Sequence, residues 1–278
     1  MNEILAKRVL TPVTKLIEVK TPYVAAKAQA GQFIILRVRE NGERIPLTIA
    51  DFDREAGTIT LVYQEVGLTT RLLGELEVGD CILNLVGPLG VPAELPEQGT
   101  VVTVAGGVGV APVLPKCKAM YGSGVKVISI VGARSKDLII LEDEIKACSH
   151  EVHICTDDGS RGFHGFVSDR LKELIESGMK IDEVVAIGPM PMMRATCEVT
   201  RPFGLKTWVS MNPIMVDGTG MCGACRVTVD GETKFACVDG PMFDGHLVDW
   251  QEAWRRANQY RNEEKTASDH HCQCGGGK

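Results

Sequence analysis

The chain has 278 residues, 44% of them hydrophobic, and carries a formal charge of -6 from 30 basic and 36 acidic side chains. These charges are interspersed, without a basic block, which excludes nucleic acid and anionic membrane as main partners. No apolar run reaches the roughly 18 residues needed to cross a bilayer and no secretory signal opens the chain, so the expectation is a soluble, cytoplasmic protein of about two or more domains.

Residues 1–98 alternate short β-rich runs with turns (GQFIILRV, RIPLTIADFD, GTITLVYQEV, DCILNLVGPLG), the pattern of a small antiparallel barrel or sandwich. At residue 99 the pattern changes. VVTVAGG is a continuous apolar run of the buried parallel type, and strand then alternates with helix through VKVISIVGAR, LIILEDEIKACS, EVHICTDD, FVSDRLKELIESG, EVVAIGP and MPMMRATCEVTRPFG. That alternation predicts a doubly wound parallel sheet over 99–207. A compact cysteine-rich unit follows over 208–245, then an amphipathic helix and polar tail over 246–278. Of ten cysteines, Cys81, Cys117, Cys148, Cys155 and Cys197 are scattered among apolar residues and read as reduced core thiols.

In the first unit, Arg44 and Thr48 are four residues apart, on one face of an extended stretch, with Pro46 between them marking an edge. A guanidinium suits phosphate and a hydroxyl suits a ring nitrogen, although such a pair is usually plain surface. In the second unit, Gly107 and Gly109 lie in a strand-to-helix turn, where glycine lets backbone N–H groups approach a pyrophosphate. The third glycine of the usual dinucleotide fingerprint is replaced by Pro112, which a first helical turn tolerates. A glycine turn with no ligand is the plain alternative. Further strand ends carry GARSKD with Arg134, TDDGS with Asp158, and GPMPMM with Gly188, Pro189 and Met192. In an open α/β sheet all would converge on the crevice beyond the carboxyl ends of the strands. Arg134 with Ser135 and Lys136 suits an adenosine ribose or a 2'-phosphate, and equally a solvated loop.

Taken in order, RIPLTIAD, VGLTTRLL, GPLG, AGGVGVAP, TDDGS, GPMPMM and the cysteine cluster resemble the ferredoxin-NADP reductase-like electron-transfer flavoproteins. Within them the chain is similar to the branch with a C-terminal [2Fe-2S] domain, which includes the electron-transfer subunits of dihydroorotate dehydrogenase and the small subunits of NADH-dependent reduced ferredoxin:NADP oxidoreductases. The resemblance implies an FAD-binding barrel, with Arg44, Pro46, Leu47 and Thr48 along the flavin and Gly67, Thr69 and Thr70 near its pyrophosphate. It implies that NAD(H) uses Gly107, Gly109, Asp158 and the segment beginning at Gly188. It also implies a larger subunit, carrying FAD and [4Fe-4S] clusters, that handles NADP(H) and ferredoxin in electron bifurcation. The redox work falls to the cofactors, so no residue is assigned as general acid or base.

The cysteine unit reads Cys222-x2-Cys225-x11-Cys237: two thiols on one loop and one on a returning strand. The spacing fits an iron–sulfur cluster and also a zinc knuckle, and a zinc-stabilised regulatory module is the corresponding alternative function. Asp217, Cys197, Cys272 and Cys274 are candidates for the fourth ligand. The resemblance separates them: dihydroorotate dehydrogenase subunits place a cysteine five residues before the pair, where this chain has Asp217, whereas the ferredoxin:NADP branch uses an aspartate. Asp217-Gly218 is also an ordinary turn sequence. His270, His271, Cys272 and Cys274 crowd the tail and read as a terminus rather than a site.

Overall fold

A computed structural model describes residues 2–266. The tail residues His270, His271, Cys272 and Cys274 therefore lie outside the described residues.

The N-terminal unit comprises β1 (Glu3–Thr11), β2 (Thr14–Lys20), α1 (Pro22–Lys27), β3 (Phe33–Arg37), β4 (Ile45–Asp53), β5 (Thr58–Gln64), α2 (Leu68–Glu75) and β6 (Asn84–Leu89). Its strands form one antiparallel sheet in the order β1-β2-β5-β4-β3-β6. The chain just before β6 returns to β1: Ile4 N donates to Asp80 O at 2.9 Å and Ile82 N to Asn2 O at 3.0 Å. Those bonds close the sheet into the expected barrel and satisfy the edge of β1. Ile4, Ile17, Ile34, Leu36, Ile59 and Leu61 fill it. Cys81 is exposed at this closure, unlike the core thiol expected, because it sits on the outer side of a strand edge. Pro46 lies in the first half of β4, which pairs with β3 alone; pairing to β5 begins only at Ile49, so its missing N–H breaks no ladder.

The second unit runs β7 (Thr100–Gly106), α3 (Val110–Gly122), β8 (Lys126–Ala133), α4 (Glu142–Lys146), β9 (Glu151–Thr156), β10 (Phe163–His164), α5 (Val167–Glu176), β11 (Glu183–Ile187), α6 (Met190–Thr200) and β12 (Lys206–Ser210). Strands β10-β9-β8-β7-β11-β12 are parallel neighbours. The apolar run of β7 is buried on both faces. Val102 and Val104 join one core with Val167, Leu171 and Met193 from α5 and α6, while Val101 and Ala105 join another with Val113, Leu114 and Met120 from α3. Helix α4 is shorter than LIILEDEIKACS suggests. Leu141 takes a left-handed conformation (φ 52°), so helix starts only at the acidic run Glu142, Asp143 and Glu144, which favours a helix N-terminus.

The last unit has β13 (Arg226–Val229), β14 (Glu232–Phe235), β15 (Met242–Asp244) and α7 (Trp250–Ala257). β13 and β14 form a hairpin, and β15 adds antiparallel to β12 as the seventh strand of the large sheet. The boundary expected at 207/208 falls inside β12, so the cysteine unit grows directly out of the nucleotide sheet. Cys225, Val227, Ala236 and Cys237 share one core with Val102 and Val104 of β7 and with Phe33 and Ile35 of the barrel. Among the described residues, no helix is long and apolar enough to cross a membrane.

Candidate functional site

Strand order locates the first half of the site. β7 is flanked by β8 on one side and β11 on the other, so its carboxyl end is the point where the winding reverses. The turns after β7 and β11 meet there, backbone to backbone. A side chain at Gly109 would place its Cβ 2.1 Å from the Ile187 carbonyl oxygen and 2.9 Å from Gly188 Cα. One at Gly106 would meet Met192 Sδ at 2.5 Å. Gly107 is glycine for a different reason: φ is +56° and no atom lies within 4 Å of the Cβ position. It is the open position of the turn, immediately before α3, where N–H groups are available to an anion. The structure thus brings together Gly107, Gly109, Gly188, Pro189 and Met192.

The adjacent strand ends are tied to one another. Asp158 N donates to Arg134 O at 3.2 Å and Lys136 N to Ser160 Oγ at 2.9 Å, joining the loops after β8 and β9. Asp158 accepts from Ser160 N at 2.9 Å; hydrogen bonds from Ser160 hold this exposed carboxyl below its ordinary range. Asp158 is therefore an ionised turn residue. It favours the hydroxyls of an unmodified ribose over a 2'-phosphate, while exposed Arg134 beside it favours the opposite.

Behind the glycine turn, α3 carries Pro115 inside the helix and Lys116, 1% exposed, after it. Lys116 Nζ donates to the Pro112 carbonyl at 2.9 Å, supporting the helical turn that Pro115 disturbs. Burial lowers its pKa from 10.5 to about 8, with Cys117 opposing the shift.

On the barrel, the structure commits several predicted flavin contacts to other partners. Thr70 Oγ1 accepts from Gly67 N at 3.1 Å and donates to Gly67 O at 3.0 Å, capping α2. Buried Thr69 donates to Glu43 at 3.1 Å. Their neighbours' backbone N–H groups at the α2 terminus are left as the donors for an anion. Thr48 pairs with Phe33 in the β3–β4 ladder, with Pro46 and Leu47 beside it, all half-buried. Arg44 points elsewhere: its Nε donates to Val216 O at 2.7 Å and Nη2 to Asp217 O at 3.4 Å. The guanidinium expected at a flavin phosphate thus joins the barrel to the cysteine loop, 172 residues away.

That loop is seated on the barrel. Gly218 has φ +79°, and its Cβ position lies 2.6 Å from Leu89 and 2.7 Å from Ile35, so only glycine fits. Asp217 accepts from Thr219 N and from Cys222 N, both at 2.8 Å, and these bonds hold its carboxyl below the ordinary range. Cys225 and Cys237 are buried with their sulfurs 3.2 Å apart, and Cys222 is exposed on the same loop. Burial, then the neighbouring Cys225, pushes the Cys237 thiol up to about 12, so its thiolate forms only against positive charge. Among the described residues, no three His, Cys, Asp or Glu side chains converge closely enough to hold one metal ion. Cys197 is buried between α6 and Gly245, among the large-sheet contacts rather than at the loop. The donor chemistry still fits an iron–sulfur group: three thiols and one ionised carboxylate on one loop system, with a carboxylate retaining lone pairs beyond its two amide bonds.

One residue at this loop escaped sequence reasoning. Arg256, in the last turn of α7, donates Nη2 to Ala224 O at 3.0 Å, inside the Cys222–Cys225 interval. A contact to a backbone carbonyl leaves no signature in residue type or spacing.

With this geometry, comparison with known proteins decides the family. Residues 212–249 match the model of the iron-sulfur cluster binding domain of dihydroorotate dehydrogenase B, and 103–198 match the oxidoreductase NAD-binding domain. A Thermotoga maritima protein described as a homologue of the dihydroorotate dehydrogenase B (NAD(+)) electron transfer subunit is 47% identical, over 95% of this chain and 93% of its own. The electron transfer subunit of Geobacillus kaustophilus is 36% identical, over 77% of this chain and 84% of its own. The chain belongs to this family. It is an electron-transfer subunit of an oxidoreductase, with an NAD-binding and an iron–sulfur domain behind a reductase-type barrel. A chain of the NADH-dependent reduced ferredoxin-NADP oxidoreductase structure superposes with a TM-score of 0.93 at 44% identity, covering 98% of both chains. A ferredoxin NADP+ reductase from Neisseria gonorrhoeae with bound FAD and NADP, 20% identical with a TM-score of 0.59, covering 73% of this chain and 90% of its own, shares the fold of the first two units.

Proposed function

We propose that this chain is the small subunit of an electron-bifurcating NADH-dependent ferredoxin:NADP oxidoreductase. When bound, NAD(H) and FAD supply hydride exchange, and a [2Fe-2S] cluster supplies the one-electron steps that a nicotinamide does not perform. The chain's own residues position these groups. Gly107, Gly109, Gly188, Pro189 and Met192 shape the nicotinamide crevice, with Asp158 and Arg134 at its adenosine end. Pro46, Leu47 and Thr48 line the flavin, while the α2 terminus at Gly67, Thr69 and Thr70 faces its pyrophosphate. Arg44 reaches the flavin phosphate only with the part of its guanidinium not spent on the loop. Cys222, Cys225, Cys237 and Asp217 are the cluster ligands.

The observation that carries this reading is Asp217. It stands five residues before the cysteine pair and is already bonded to Cys222 N, a placement that suits an aspartate-ligated cluster. A partner is supported by the rim of the loop, where Val216, Met221 and Val238 are exposed, Met221 by 89%. We take that partner to be a larger subunit with FAD and [4Fe-4S] clusters that binds NADP(H) and ferredoxin. We place the pair in the cytoplasm, whose reducing pool suits the eight unpaired cysteines among the described residues.

The family matches favour a second reading, electron transfer for a dihydroorotate dehydrogenase. Purification of the native complex, with flavin, iron and sulfide analysis, is followed by assays with NADH, NADPH, ferredoxin and dihydroorotate. Ferredoxin-dependent coupling of the two nicotinamides is expected. Oxidation of dihydroorotate by the complex would replace the first reading with the second, and zinc without iron would replace both with a regulatory module.

A further inference from the structure

Arg256 is held more firmly than a surface arginine. Helix α7 is fixed at its start by Asp249, which accepts from Gln251 N and Glu252 N at 3.0 and 2.9 Å, and by Asp249 N donating to Thr228 O at 2.9 Å. Glu252 accepts from Thr228 Oγ1, and Ala253 is buried in the core that contains Cys225 and Cys237. The helix therefore presents Arg256 to the loop from a fixed base. One nitrogen of its guanidinium holds the Ala224 carbonyl. Among the described residues, its Nε is buried without any hydrogen-bond partner.

A buried N–H without a partner is uncommon in folded proteins, and such a group needs an explanation. Capping the end of α7 explains the positive charge but not a buried, unspent Nε–H on a guanidinium bonded to the carbonyl between Cys222 and Cys225. The loop it holds through Ala224 carries the Cys222 and Cys225 thiols on either side of that carbonyl. We propose that Arg256 is a positioning residue for the iron–sulfur group, its guanidinium fixing the 222–225 loop through Ala224 and offering Nε–H as a charge-assisted donor to the anionic sulfur held there. Positive charge and a hydrogen bond to sulfur both favour the reduced cluster, so Arg256 raises its reduction potential. The inference rests on the iron–sulfur reading of the cysteine loop.

The test is a redox titration, followed by EPR, of the full chain carrying its flavin and iron. Arg256→Gln, Arg256→Lys and Arg255→Gln are compared with the unaltered chain. Arg255 is the exposed arginine one position earlier, and its substitution removes the same net charge. Arg256→Gln is expected to shift the reduction equilibrium at least tenfold toward the oxidised form, which is about 59 mV for one electron. Arg255→Gln is expected to shift it far less. Arg256→Lys keeps the charge but loses Nε–H, and is expected to move in the same direction by a smaller amount. Equal shifts in the two glutamine variants, or no shift in Arg256→Gln with its iron retained, would overturn the proposal. If Arg256→Gln fails to hold iron, Arg256→Lys decides, and an unchanged potential there overturns it. Failure of the underlying reading is distinguishable because the unaltered chain would then lack iron, sulfide and visible absorption.

Discussion

The glycine turn at the nucleotide crevice and the cysteine loop are both rich in glycine, yet they take their shapes by different means. The turn is set by packing: Gly109 lies against the Ile187 carbonyl, Gly106 against Met192, and buried strands hold them there. The loop is set by hydrogen bonds, from Asp217 within it and from two arginines outside it. Arg44 of the barrel holds Val216 and Asp217, Arg256 of α7 holds Ala224, and Gly218 is seated by close packing against the barrel. A crevice for a large anionic ligand gains from a rigid wall, whereas a loop around thiols needs charge and amide donors more than bulk.

The contrast is broken most severely at Gly109. Its φ is -60°, so alanine is conformationally allowed, and the whole cost is the 2.1 Å approach to a backbone oxygen. Backbone cannot move aside as a side chain does. Gly109→Ala should destabilise the chain by about 3 kcal/mol and abolish NADH-dependent flavin reduction. Gly107→Ala meets no atom and pays only for its positive φ, about 1 kcal/mol. Thermal unfolding of the two variants checks the order; equal losses would mean that packing does not define the turn.

Lys116 tests the same packed region from behind. Its folded pKa is about 8 against 10.5 when solvated, so between these values the unfolded chain binds more protons and stability rises with pH. Below pH 8 the buried charge costs up to about 3 kcal/mol, partly offset by about 1 kcal/mol from its bond to Pro112 O. Lys116→Met should therefore stabilise by about 2 kcal/mol at pH 7, with the advantage vanishing towards pH 10.5. Denaturant unfolding at both pH values measures it, and a destabilised variant at pH 7 would show that the amine is needed where it is.

The packed region was also the more legible in sequence. Continuous apolar β7 and the glycines after it announce a buried strand and a close approach, and the parallel sheet follows from the alternation with helices. The cysteine spacing and Asp217 were likewise visible as donors. What holds them was not. Arg44 was read for a phosphate and reaches a carbonyl 172 residues away, and Arg256 carries no pattern at all, because every residue offers the same carbonyl. Thr69 and Thr70 are expected near a pyrophosphate, yet the hydroxyl of one bonds Glu43 and that of the other caps its own helix, local uses that compete with any ligand. The short α4 depends on Leu141 adopting a left-handed backbone, which leucine composition argues against.

At the loop, Asp217→Cys sharpens the comparison by exchanging a hard carboxylate for a thiolate of equal charge. The variant is expected to retain the cluster with altered EPR g values and a changed potential; identical spectra and potential would remove Asp217 from the ligand set. Asp217→Asn addresses the alternative of a mere turn. It keeps one acceptor for Thr219 or Cys222, so a turn role predicts an unchanged spectrum, whereas ligation predicts loss of iron.

The smallest effect expected is at Arg44, and it separates the two roles argued for that residue. Arg44 is half-exposed, so its two bonds to the loop contribute at most about 1 kcal/mol, and Arg44→Gln should barely alter the unfolding temperature. Its influence is local. If the guanidinium chiefly ties the barrel to the loop, the variant keeps its FAD while hydrogen exchange quickens at residues 216–222 and iron is lost faster to a chelator. If it chiefly binds the flavin phosphate, FAD affinity falls several-fold and the loop stays protected. The bond lengths favour the first outcome, because Nε already donates to Val216 O at 2.7 Å and a phosphate would have to compete for what remains. Arg44→Lys refines this further: lysine keeps the charge for a phosphate but cannot span both carbonyls, so flavin affinity should match that of the unaltered chain while loop protection is lost as in Arg44→Gln.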